Sequence, residues 1–86
     1  MQIVKTNVAC YYYQNNLLHR EDGPALEDTN GNMLWYKNGK LHREDGPAVE
    51  YTSGYKSWYF NDKCFGYNNM FTNKSWIKFV KTLIFL

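Results

Sequence analysis

Residues 35–54 read WYKNGKLHREDGPAVEYTSG, and turn signals punctuate this stretch at short, regular intervals. They are Asn38-Gly39, then Asp45-Gly46 followed by Pro47, then Ser53-Gly54. Glycine after Asn, Asp or Ser supplies the positive φ of a tight turn, so each pair is expected to reverse the chain. Between the turns run LWYK, KLHRE and AVEYT, with YKSWYF beyond, all short and rich in aromatic and β-branched residues. Segments of that length and composition read as strands of a continuous antiparallel meander. Pro47 suits a strand's first residue, where its missing N–H removes no central ladder bond.

Working outward, the same text recurs. LHREDGPA stands at residues 18–25 and again at 41–48, a displacement of 23 residues, and aligning 12–34 with 35–57 gives identity at 13 of 23 positions. A further shift matches Trp35, Tyr36, Asn38 and Lys40 to Trp58, Tyr59, Asn61 and Lys63, after which the HREDGPA block is absent. The chain therefore divides into an N-terminal strand (1–11), repeat 1 (12–34), repeat 2 (35–57), a partial repeat 3 (58–71) and a C-terminal segment (72–86). Departure of the last unit from the repeat is what a stack needs in order to stop. Period-2 alternation puts Trp35 and Lys37 on one face and Leu34 and Tyr36 on the other, predicting Trp and Tyr ladders that serve chiefly as core. Leu18, Leu41 and Cys64 share one repeat position, so Cys64, like Cys10, reads as a small core hydrophobe.

From Thr72 onward the period changes. Trp76, Phe79, Val80, Leu83 and Ile84 follow helical spacing, with Thr72, Asn73 or Ser75 as candidate N-cap and Lys74, Lys78 and Lys81 on the opposite face. An apolar stripe of this kind is expected to lie on the open sheet and close its core. The stretch is too short, and carries too many lysines, to cross a bilayer.

Composition limits the function classes. Eighty-six residues make one small domain, and a formal net charge of +2 lacks the bulk positive charge of a sequence-independent nucleic-acid binder. The first residues, MQIVKTNVAC, have no apolar h-region, so no secretory routing is expected and the expected location is cytoplasmic. His, Arg, Glu and Asp in a row raise the question of catalysis. Duplication at one register argues for a structural corner, since a catalytic centre needs one convergent constellation. In an extended segment His19 and Glu21 also point away from Arg20 and Asp22. Asp22 and Asp45 are expected to bond backbone N–H groups of the following turn, Arg20 and Arg43 to pair with acidic residues on neighbouring strands, and His19 and His42 to hydrogen-bond locally. No enzyme, cofactor or metal site is expected. Two binding alternatives stand beside this: Arg20 and Arg43 with nearby tyrosines holding a nucleotide or small anion, and Lys74, Lys78 and Lys81 meeting a lipid or nucleic-acid surface.

The stretch WYKNGKLHREDGPAVEYTSG resembles the MORN repeat, in which an aromatic is followed by N-G-K, a histidine, a glycine-bearing turn and a strand ending in a glycine turn. The resemblance covers Tyr12 to about Lys63 and is nearest to a variant with H-R-x-D-G-P-A at the turn, of the kind found in repeat proteins of phages and giant viruses. It implies antiparallel hairpins in a single-layer twisted sheet, one hairpin per unit, and a protein-binding scaffold without a catalytic set. The combined expectation is a mostly β meander of MORN-like hairpins with an amphipathic C-terminal helix packed on it. Such a module would bind a host or cellular protein as an inhibitor or adaptor, in the host cytoplasm if viral. Its expected contact residues are Arg20, Glu21, Arg43, Glu44, Tyr36 and Tyr59, with Lys74, Lys78 and Lys81 on the helix. Self-association through unpaired sheet edges is a further expectation, while nucleic acid and membrane rank lower.

Overall fold

The computed structural model of the chain describes residues 1–85. The described residues form β1 (Gln2–Lys5), β2 (Ala9–Gln14), β3 (Leu17–Leu18), β4 (Leu26–Asp28), β5 (Met33–Leu34), β6 (Tyr36–Lys37), β7 (Lys40–Leu41), β8 (Val49–Glu50), β9 (Lys56–Phe60) and β10 (Lys63–Tyr67). A 3-10 turn at Asn68–Met70 leads into helix α1 (Asn73–Ile84). All strand pairs are antiparallel, in the order β1-β2-β4-β5-β8-β9-β10, with β3 beside β2 and β6 beside β7. Backbone bonds outside the ladders join these pieces. Arg20 N donates to Tyr36 O at 3.1 Å and Gly39 N to Leu18 O at 2.8 Å; 23 residues on, Arg43 N donates to Tyr59 O at 3.3 Å and Asp62 N to Leu41 O at 2.8 Å. The result is one open meander built from a repeated hairpin, closed at one end by a helix.

The upper turns explain the period. Asn15-Asn16 (φ 52 and 64), Asn38-Gly39 (52 and 79) and Asn61-Asp62 (48 and 69) lie 23 residues apart, each with both central residues at positive φ. That is the I′ geometry whose twist matches a hairpin, and Asn tolerates it where Gly is absent.

KLHRE is not a full strand. Only Lys40–Leu41 stays in a ladder; after His42 the chain leaves the sheet through residues 43–47 and rejoins it as β8. The glycines in this excursion do not have the expected positive φ, which among glycines occurs at Gly31, Gly39 and Gly54. They are needed for space: a Cβ on Gly46 would lie 2.7 Å from Cζ of Arg43, and one on Gly23 would lie 2.7 Å from Cζ of Arg20. Gly46→Ala should therefore push the guanidinium out of its seat and cost about 1–3 kcal/mol, measured by urea denaturation.

The turn after β4 is organised by Asp28, whose carboxylate accepts from the N–H groups of Asn30 and Asn32 at 2.9 Å each and from Asn32 Nδ2 at 2.8 Å. The Asn32 side chain first, then the backbone N–H groups, hold the Asp28 carboxyl below its ordinary value. A depressed carboxyl stabilises the fold above the unfolded-state value and loses that contribution as pH falls through the folded one. The melting-temperature gap between wild type and Asp28→Asn should be open at neutral pH and close under acid below the ordinary carboxylate range.

The largest fully buried side chains gather at the helical end. Trp58, Trp76 and Val80 form a core against Phe60, Phe65, Phe71 and Phe79. Thr72 caps α1, its hydroxyl accepting from Ser75 N at 3.1 Å while Ser75 Oγ accepts from Thr72 N at 2.9 Å. The helix covers the β9–β10 hairpin rather than the sheet at large, and Ile84, placed in the apolar stripe by spacing, is 49% exposed. The final residue of the 72–86 helical segment, Leu86, lies outside the described residues.

Repeat arithmetic explains why the core forms there. At the third unit His42 becomes Phe65, Arg43 becomes Gly66 and Ala48 becomes Phe71. Phe71 sits over Gly66, 3.1 Å from where a Cβ would be, and Trp58 meets the rings of Phe71 and Trp76 at 5.6 and 5.7 Å. Aromatic rings thus replace the third corner, and the stack ends in a greasy cap.

A candidate interaction groove between the repeat corners

Each corner is assembled around its arginine. Arg43 Nε donates to Asp45 Oδ1 at 2.9 Å, and Nη1 donates to Pro47 O at 3.2 Å and Glu50 Oε1 at 2.6 Å; the guanidinium lies 3.8 Å from the centre of the Trp35 ring. Arg20 repeats the pattern. Its Nε donates to Asp22 Oδ1 at 3.1 Å and its Nη1 to Pro24 O at 3.3 Å, with Glu27 at 3.8 Å and the Tyr12 ring centre at 4.0 Å. Asp22 and Asp45 therefore hold the arginine two residues back rather than the backbone of the next turn. The expected ladder of indoles is interleaved: a guanidinium takes the face of Trp35, and Trp35 and Trp58 make no ring contact among the described residues.

The histidines bond across repeats, and His42 bonds locally as well. His19 Nδ1 accepts from Asn38 N at 2.9 Å, and His42 Nδ1 accepts from Asn61 N at 3.0 Å. Each buried imidazole fastens the next hairpin's I′ turn to the preceding corner. Because Nδ1 receives an N–H, the ring's own hydrogen is on Nε2. His42 Nε2 then donates to Glu44 Oε2 at 2.9 Å, while His19 Nε2 lies 3.7 Å from Glu21 Oε1. Period-2 alternation survives here, pairing His42 with Glu44 and Arg43 with Asp45. His42 is thus bonded on both ring nitrogens, and each guanidinium holds carboxylate through Nε.

What the corners present outward is carboxylate. The side chains of Glu21 and Asp22 are 74% and 88% exposed and those of Glu44 and Asp45 48% and 71%, against 22% for Arg20 and 16% for Arg43. Between the corners lies a cleft of about 290 Å³ lined by both arginines, Glu21, Glu44, Trp35 and Lys37 among others. Adjoining hollows extend it past Lys37 and Asn38 toward Phe60 on one side and toward Gln14 on the other. The cleft thus brings Arg20, Glu21, Arg43 and Glu44 together. It does not include Tyr36 and Tyr59, which alternation sends to the opposite sheet face, where burial first, then neighbours such as Asp62 and Cys64, raises both phenols above their ordinary value. Lys74, Lys78 and Lys81 are exposed on α1.

Lys37 is the groove residue that motif reading missed. It is half-buried, borders all three hollows and has no carboxylate within ion-pair distance among the described residues. Its position on the Trp35 face, midway between two corners, was the available signal. The cysteines are free thiols, and they depart from expectation only in being half-buried rather than core.

Fold and site together define an open meander of 23-residue hairpin units whose corners frame a mixed-charge groove. Comparison with family models, curated proteins and solved structures finds no match to the chain. No group of three or more His, Cys, Asp or Glu among the described residues is placed to hold a metal ion, and no described helix is long and apolar enough to cross a membrane.

Proposed function

We propose that the protein is a non-enzymatic protein-binding module that meets its partner through the groove between the corners. One observation carries this reading: the histidines and arginines of both corners are engaged internally, while Glu21 and Glu44 stand at the rim around an unpaired Lys37. Exposed charges of both signs in one concavity suit a polar, complementary partner. The same engagement is why a nucleotide or small-anion site on Arg20 and Arg43 ranks lower. Taken with the repeat's resemblance, the reading extends to a small viral or phage factor that occupies a host protein in the host cytoplasm.

A second reading rests on Lys74, Lys78 and Lys81, which have no carboxylate within ion-pair distance among the described residues and suit a polyanionic surface. Pull-down from source-cell lysate after nuclease treatment separates the two. The baits are wild type, Glu21→Lys/Glu44→Lys and Lys74→Glu/Lys78→Glu/Lys81→Glu. One stoichiometric protein lost with the first variant and kept by the second is the expected result. Loss only with the lysine variant, together with nuclease sensitivity or steep salt dependence, would favour the polyanion surface.

A further inference from the structure

The outward face of α1 carries side chains that the fold leaves unused. Trp76 and Val80 turn into the core on β9–β10, whereas Lys74, Lys78 and Lys81 are exposed and have no carboxylate within ion-pair distance among the described residues. Apolar side chains stand among these lysines. Ile77 is 37% exposed, Ile84 49% and Phe85 83%. At about 100° per residue these six positions fall within an arc of about 120°, the isoleucines along the border of the buried stripe and Phe85 at the C-terminal end. Charge sorts along the chain in the same sense. Residues 1–50 hold five lysines and arginines against seven acids, and residues 51–86 hold five lysines against Asp62 alone, so the formal charge of +2 divides into −2 and +4.

Cations and apolar side chains on one convex arc select the partner's chemistry. A nucleic acid engages the lysines but gives the isoleucines nowhere to bury. A protein groove that takes a helix needs a continuous row of anchors at i, i+3, i+4 and i+7. Counted from Ile77, that row is broken, because Val80 is spent in the chain's own core and Lys81 follows it. A lipid headgroup layer accepts both kinds of side chain at once: ammonium groups reach the phosphates while lysine stems and apolar side chains lie below them. The twelve residues of α1 extend about 18 Å, short of the ~30 Å hydrocarbon core, so the helix would lie along the surface.

We infer that the exposed face of α1 docks the folded protein on an anionic lipid surface. Lys74, Lys78 and Lys81 meet headgroup phosphates, and Ile77, Ile84 and Phe85 enter the layer beneath. Docking leaves the fold intact, because Trp76, Val80 and the bond from Trp76 Nε1 to Arg43 O are all on the other side of the helix. The inference rests on the polyanion reading of the three lysines and names lipid as the polyanion. It adds a surface to the groove between the corners, whose exposed acids lie in the repeats rather than on the helix.

The test is co-sedimentation of the full chain with vesicles of phosphatidylcholine containing phosphatidylserine, against vesicles of phosphatidylcholine alone. Binding to the anionic vesicles only is expected. Lys74→Gln/Lys78→Gln/Lys81→Gln should lower it about a hundredfold. Ile84→Ser/Phe85→Ser should lower it about tenfold with the circular dichroism spectrum unchanged, and Phe85→Ser alone, at the most exposed of these positions, repeats the direction with the least effect on folding. Equal binding to both vesicles, or indifference to both serine variants, would overturn the inference, the second by leaving only charge attraction. A fluorescein-labelled single-stranded oligonucleotide, read by anisotropy, separates the two levels. Oligonucleotide bound through the lysines with no vesicle binding ends the lipid inference alone, whereas binding of neither ends the polyanion reading with it.

Discussion

Trp76→Ala should unfold the helical end and, with it, most of the cooperative stability of the chain. Trp76 has 0% of its surface exposed and meets Trp58, Phe65, Phe71 and Phe79 with ring centroids 4.9–6.2 Å apart. It also donates to the carbonyl of Arg43, tying the helix to the second corner. Truncating a buried tryptophan costs about 3–5 kcal/mol. A domain of this length has roughly 4–13 kcal/mol in total, so the variant should show an early, shallow urea transition and weakened near-ultraviolet dichroism. Trp76→Phe keeps the ring contacts and loses the N–H, and should fall between the two. A Trp76→Ala protein as stable as wild type would mean that the sheet stands without its cap.

Replacing both histidines by leucine should produce a loss of similar size, by a different route. Leucine fills much of the volume but leaves Asn38 N–H and Asn61 N–H without the Nδ1 acceptors that now lie 2.9 and 3.0 Å away. An unpaired, partly buried donor costs about 1–3 kcal/mol, and the two sites are far enough apart to add, giving about 4 kcal/mol for the pair. Asparagine, whose side-chain carbonyl can stand in for Nδ1, should recover part of each loss. Glu44→Gln should change little, because a half-exposed carboxylate on a histidine is worth at most about 1 kcal/mol. Urea midpoints of the single and double variants check this. Silent leucine substitutions would mean that the imidazoles are not structural and would reopen a chemical role for the HRED blocks.

Which parts of this were legible in the sequence follows from the range of the forces involved. The meander, the 23-residue unit and the closing helix rest on local signals: turn residues, period-2 aromatics, a helical stripe with its cap. Those agree with one another and with the fold. The corner was legible as structural from its duplication, but not in detail. Gly46 looked like a positive-φ turn residue because Asp-Gly usually is one; its true constraint is the Arg43 guanidinium folded back over it, a contact no local rule encodes. The local bond of His42, to Glu44, was legible, but its second partner, Asn61 N–H, is 19 residues away and becomes a neighbour only once the meander is laid out. Lys37 and Trp35 belong to no motif, and their place in the groove depends on two corners flanking one strand. Arg20 and Arg43 attracted attention by charge, yet cation–aromatic stacking and their own aspartates turn them inward.

The groove reading depends most directly on its acidic rim, where the side chains of Glu21 and Glu44 are 74% and 48% exposed. Capture from source-cell lysate after nuclease treatment, with wild type and Glu21→Lys/Glu44→Lys as baits and circular dichroism as the control for folding, tests it. A stoichiometric protein held by wild type and lost with the folded variant is the predicted result. A partner captured equally by both baits, or lost only with Lys74→Glu/Lys78→Glu/Lys81→Glu, would contradict the account.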